Sequence, residues 1–163
     1  MPPNKTFRIL GIDPGTGILG FGVIDATLGG KLSLVDAGVI RTPVLQADSE
    51  RLFTIYSELQ GIIKSVKPNI MSVEKLFFAQ NVTNAMNVAQ ARGVVLLLGK
   101  QAGLELFEYT PLQIKQALTS YGRATKLQVQ EMVRIILGLK EHPQPDDCAD
   151  ALAAAICHSM TMR

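Results

Sequence analysis

The sequence predicts an α/β domain, a mixed sheet with helices on its faces. Three observations predict it: three apolar runs of strand length joined by turn residues open the chain; after Pro43 the apolar spacing becomes helical; and two later short apolar runs each sit between helical stretches. At 163 residues the length suits one domain. Apolar residues make up 47% and charged residues 18%, against about 25% charged in a typical soluble domain, which excludes intrinsic disorder and leaves apolar surface for an oligomer to cover.

Phe7 to Ile12 reads as a buried strand that stops at Asp13-Pro14-Gly15, where Pro presets φ and Gly tolerates a positive one. Ile18 to Ile24 returns beside it as a hairpin, and Gly29-Gly30 turns the chain into a third antiparallel strand, Leu32 to Ile40. Leu52, Ile55, Tyr56, Leu59, Ile62 and Ile63 then share one helical face, closed before Pro68. Ile70 to Val73 is a short strand. From about Asn84 to Gln101 runs a helix whose Val94 to Leu98 core is apolar all round, so cover is expected on every side, from the sheet or from a second subunit. Leu104 to Tyr109 is the last strand, Pro111 opens a short helix, Lys126 to Leu137 is amphipathic, and a final helix runs from near Asp147 to Cys157.

The formal net charge is +2, but it is uneven: residues 111–140 hold Lys115, Arg123, Lys126, Arg134 and Lys140 against Glu131 alone. Cys148 and Cys157 lie nine positions apart without metal-ligand spacing and are expected to be reduced thiols. Apolar runs such as Val94 to Leu98 fall far short of the roughly 20 residues that cross a bilayer. No secretory signal precedes Phe7. The expectation is a cytoplasmic protein without a membrane partner, a single domain over residues 1–163 with 1–6 as a flexible extension.

Asp13 and Glu74 each end an apolar strand, and strand ends are where α/β sheets usually bind ligands. Asp13 alone suits a turn equally well. Asp147 and Asp150 stand three apart at the start of an alanine-rich helix and so share a face. Asp146 or Asp147 could merely cap that helix, whereas Asp150 lies a turn inside it among small apolar residues, where an acid needs a cation or a donor. Together Asp13, Glu74, Asp147 and Asp150 form an all-oxygen set of the kind that Mg²⁺ or Mn²⁺ prefers. Two Mg²⁺ about 4 Å apart could share it, one activating a water and one stabilising the leaving oxygen of a phosphoryl displacement. That chemistry suits a nuclease, a polymerase or a phosphatase.

Five motifs occur in order over nearly the whole chain: Gly11-Ile12-Asp13-Pro14-Gly15-Thr16 with Gly20-Phe21-Gly22; Val73-Glu74 leading to Phe77; Ala89-Gln90-Ala91-Arg92-Gly93; Lys126-Leu127-Gln128-Val129-Gln130; and Asp147-Cys148-Ala149-Asp150-Ala151-Leu152-Ala153. Together they resemble the RuvC family of Holliday-junction resolvases. The resemblance implies a ribonuclease-H-like fold with a five-stranded mixed sheet, a homodimer, and work beside a branch-migration motor. It also implies Mg²⁺-dependent cutting of four-way DNA junctions by paired symmetric nicks, leaving 5′-phosphate and 3′-hydroxyl ends. By position it makes Asp13, Glu74, Asp147 and Asp150 the catalytic acids, holding two Mg²⁺ with Mn²⁺ a substitute. Some members carry His where Asp147 stands, so His142 and His158 are left here as loop or helix-end residues. DNA contacts implied by the resemblance are Phe77, stacking on an unpaired base, and Lys115 and Lys126 on phosphates, with Arg123 a third basic contact. Phe78 suits core as well as contact, and Arg92 suits a structural role as well as a DNA contact.

Competing readings are another ribonuclease-H-like nuclease acting on hybrid or linear duplex, and a non-catalytic junction-binding module, which four intact acids oppose. A nucleotide binder of the actin type has a loop like Asp13 to Gly17, but this chain is too short for its second lobe.

Overall fold

The computed structural model describes residues 5–76 and 82–162. In chain order the elements are strands β1 (Thr6–Asp13), β2 (Ile18–Thr27) and β3 (Leu32–Arg41), helix α1 (Asp48–Val66), strand β4 (Ile70–Glu74), helix α2 (Val82–Gln101), strand β5 (Glu105–Tyr109), and helices α3 (Pro111–Thr119), α4 (Lys126–Leu137) and α5 (Asp146–Thr161). This is the order that periodicity and turn chemistry predict. The strands pair as β3-β2-β1-β4-β5. β1, β2 and β3 are antiparallel, and the β1–β4 and β4–β5 pairs are parallel; parallel neighbours need crossovers, and α1 and α2 lie in them.

Alternation along β1 divides the core in two. Leu10 and Ile12 join Val23, Met71 and Val73 beneath Ile55 and Leu59 of α1 and Ala91, Val95 and Leu98 of α2. Ile9, Ile24 and Ile70 face the other way, against Ile114 of α3, Val129 and Val133 of α4, and Leu152 and Ile156 of α5.

Helix α5 lies closest to the sheet, with residues 151–158 all buried. β1 and β2 meet it with glycine. A Cβ at Gly11 would overlap the Ala151 carbonyl oxygen and stand 2.8 Å from the Ala155 nitrogen, and one at Gly20 would overlap the Asp147 carbonyl oxygen. Ser72, opposite Gly11 in the β1–β4 register, donates from Oγ to the Ala154 carbonyl at 2.7 Å. The helix thus rests almost backbone to backbone on the sheet.

Thr110 and Thr125 head α3 and α4 with capping boxes. α5 differs: it follows Pro145 with no side-chain cap bond, so neither Asp146 nor Asp147 serves as its cap. Within one chain the cover of α2 is one-sided: the sheet takes Ala91, Val95 and Leu98, while Leu97 stays 56% exposed, with Val82 and Met86 out as well. Cys148 and Cys157 are buried free thiols. Among the described residues no helix is long and apolar enough to cross a membrane.

Gly11→Ala is expected to destabilise the fold by about 3 kcal/mol, as forced overpacking does. Gly61→Ala, on an open face of α1 with nothing within 4 Å of the added Cβ, is expected to stabilise by roughly 0.5–1 kcal/mol. Urea midpoints of the two variants measure both effects.

Candidate active site

Asp13 is the last residue of β1 and Glu74 the last of β4, and the parallel register that pairs Ile12 with Val73 sets them side by side at one sheet edge. The first turn of α5, pressed onto Gly20, brings Asp147 and Asp150 to the same edge. The structure therefore gathers the four acids singled out in the sequence.

Their electrostatics follow from that crowding. Asp13 donates a hydrogen bond to Glu74, and burial, followed by the charges of Glu74, Asp150 and Asp147, pushes the Asp13 carboxyl up to about 8. Burial and Asp150 also hold Glu74 above its ordinary value, although the Asp13 hydrogen bond, Lys115 and Lys126 pull the other way. Burial raises Asp150 too, against the opposing pull of Lys126. Lys126 Nζ stands 3.4 Å from Asp150 Oδ2 and 3.6 Å from Asp146 Oδ2. Burial pulls this ammonium down, but Asp150, Asp146 and Asp147 outweigh it and keep it above the usual lysine value. The donor that a half-buried Asp150 requires is thus Lys126.

Glu74 divides two clefts. One, of about 240 Å³, is walled by Glu74, Lys115, Lys126 and Asp150 over Ile114 and Val129. The other is walled by Asp13, Pro14, Glu74, Lys75 and Arg92. Arg123 is exposed in the turn between α3 and α4 and lines neither. Phe77 and Phe78 lie outside the described residues. His142 sits 2.5 Å from Glu131 in the loop before α5. His158 is buried, bonded to the Tyr109 hydroxyl at 2.7 Å and stacked on Phe107. Neither histidine is among the charges acting on the acids.

Two supports escape the sequence reading. The Thr42 hydroxyl donates to the Thr16 carbonyl and accepts from Arg51 Nε at 3.0 Å, so α1 pins the loop that follows Asp13. Arg92 Nη2 lies 2.5 Å from Glu108 Oε2 and ties α2 to β5, through a partner that the sequence does not mark. Of the two clefts' basic residues, Lys75 carried only the signal of standing next to Glu74.

Four carboxylates with no sulfur ligand suit a hard divalent cation, and an acid that still holds a proton near neutral pH has one to surrender to positive charge. Among the described residues no three His, Cys, Asp or Glu side chains are placed so that they could hold a metal ion together: Asp13 and Glu74 share a proton, and Lys126 holds Asp150.

The family model for crossover junction endodeoxyribonuclease RuvC matches residues 9–158. Relatives that bear that same name match over nearly the whole chain. One, from Desulfitobacterium hafniense, is 55% identical over 151 residues, covering 93% of this chain and 91% of its own; one from Heliobacterium modesticaldum is 54% identical over 155 residues, covering 94% and 95%. Among solved structures, T. thermophilus RuvC in complex with Holliday junction substrate matches with a TM-score of 0.90 at 37% identity, over 95% of this chain and 94% of that one. The yeast mitochondrial Holliday junction resolvase Ydc2, 13% identical with a TM-score of 0.72 over 99% and 81%, shares the fold. The mixed sheet is the ribonuclease-H-like fold that the resemblance implies. With its motifs, its sheet order and these relatives in agreement, the chain belongs to the crossover junction endodeoxyribonuclease RuvC family.

Proposed function

We propose that the protein resolves four-way DNA junctions as a metal-dependent endodeoxyribonuclease, acting as a homodimer. Half-buried acids from β1, β4 and α5, one still protonated near neutral pH, stand at the head of a lysine-walled cleft. That combination supports phosphodiester hydrolysis, since acids crowded only for the sake of the fold would cost stability without return. The T. thermophilus relative held with a Holliday junction substrate supports the same substrate class here, and a cytoplasmic location suits it.

Asp13, Glu74, Asp147 and Asp150 would hold Mg²⁺, two ions for preference and Mn²⁺ as substitute. Bound there, a divalent cation supplies Lewis-acid charge that makes water a better nucleophile and offsets charge on the leaving oxygen. Asp13 and Glu74 release their shared proton when positive charge enters. Lys115 and Lys126 orient the strand by its phosphates, Lys126 exchanging Asp146 for a phosphate oxygen. Hydrolysis forms a P–O bond from water and breaks the P–O3′ bond, leaving a 5′-phosphate and a 3′-hydroxyl. Cutting two symmetry-related strands calls for two sites on a two-fold axis. Val82, Met86 and Leu97, spaced to share the open face of α2, suit a second subunit.

A synthetic four-way junction incubated beside linear duplex of the same sequences, with Mg²⁺, Mn²⁺ or chelator, is expected to show paired symmetric nicks in the junction alone, abolished by chelator. Equal cutting of linear duplex overturns the resolvase reading. In the same assay Asp13→Asn is expected to lose at least about 100-fold in cutting while retaining junction binding, because it keeps the shape and removes a ligand charge. Lys126→Ala is expected to weaken binding and lower the slope of log affinity against log salt by about 1, measured by titration at several salt concentrations.

A further inference from the structure

The cleft on the Asp13 side of Glu74 carries two cations that the proposed chemistry does not use. Lys75 follows Glu74 directly and is exposed, and its main-chain N–H donates to the Tyr109 carbonyl at 2.7 Å, which extends the β4–β5 ladder past the acid and fixes the residue at the sheet edge. Arg92 reaches the same cleft from α2 with only 21% of its side chain exposed. Its place is set by Glu108, which pairs in register with Val73, one step before Glu74. Glu108 engages one terminal nitrogen of a group that carries five N–H donors in a rigid fork. Among the described residues the buried Nε has no acceptor at all, an arrangement that in a folded protein calls for a partner from elsewhere.

We propose that Lys75 and Arg92 form a second phosphate-binding flank, which takes a backbone phosphate of the cleaved strand on the side of the acids opposite Lys115 and Lys126. The inference rests on the junction-cutting reading above. A strand laid across the acids carries a charge at every nucleotide, so the phosphates on both sides of the reacting one meet this edge. Lysines on one side only would leave the neighbouring phosphate facing Asp13 and Glu74. Lys75 supplies a mobile point charge and Arg92 a preset fork, a pairing that positions a strand without reading its sequence. A purely structural Arg92 would tie α2 to β5 and leave DNA affinity untouched.

Binding of a fluorescent four-way junction to the full chain, in chelator over a salt series, separates these roles. Lys75→Gln and Arg92→Gln are each expected to lower the slope of log affinity against log salt by about 1. Each should also raise KM for junction cutting several-fold with kcat nearly unchanged, as lost uniform binding does. Arg92→Lys, which keeps the charge, is expected to restore the slope. If Arg92→Gln unfolds, the exposed Lys75→Gln decides the question. Wild-type slopes in Lys75→Gln and in folded Arg92→Gln, with a wild-type protein that binds and cuts, overturn the second flank alone. A wild-type protein that neither binds nor cuts the junction overturns the junction reading and the flank with it.

Discussion

Helix α5 can lie against β1 and β2 only because the facing strand positions carry no side chain. Gly11 and Gly20 lie against the Ala151 and Asp147 carbonyls, and any Cβ there would lift the helix away. The alanines of α5 complete the fit from the other side, and the Ser72 bond to Ala154 fixes the helix along its axis. Without this contact Asp147 and Asp150 would stand a side chain's thickness further from Asp13 and Glu74. Packing and the site are therefore one constraint: the residues that let the helix close on the sheet are those that crowd the acids.

Crowding has an electrostatic cost that the protein meets in two ways. Asp13 keeps a proton and shares it with Glu74, while Lys126 leans over Asp150 from the start of α4. Neither arrangement is a closed cage. Each is a temporary partner that a divalent cation or a phosphate can displace, which is how a half-buried set of like charges stays both folded and reactive. Lys126 serves twice in this scheme, first as counter-charge to the acids and then as a phosphate contact. α1, through Arg51 and Thr42, keeps the Asp13 loop from opening under the same repulsion.

The elements were legible because local signals agree with the global fold. Alternation and Asp13-Pro14-Gly15 mark the first hairpin, the 3.6 period marks α1, and Pro111 opens α3. The four acids were legible from their places at strand ends and on one helix turn. What stayed hidden depends on register and on which face a residue takes. The pairing of β1 with β4, which sets Asp13 beside Glu74, has no local mark. Glu108 meets Arg92 only once β5 is aligned on β4. A count of basic residues groups Arg123 with Lys115 and Lys126 but does not tell that the two lysines line a cleft beside the acids while Arg123 is exposed in the α3–α4 turn. α2 looked apolar all round because composition does not tell the face that meets the sheet from the one left open.

Packing forces together acids that only positive charge can relieve, and the thermal midpoint of chelated protein at pH 6.5 and pH 8 reads that strain. In the fold Asp13 titrates near 8, raised from 3.8, so the folded state binds the proton more tightly than the unfolded one. Stability from this group is complete below the unfolded value and is lost as pH rises towards 8. His158, lowered from 6.5 by burial, gains stability as pH rises through the same range and so opposes the fall rather than causing it. The expected result is a midpoint lower at pH 8, at about 2–4 °C per kcal/mol for a chain of this size, with Mg²⁺ restoring more at pH 8 than at 6.5 and Asp13→Asn abolishing the fall. A midpoint that is flat across this range, and unmoved by Mg²⁺, would show that the four acids are not forced together.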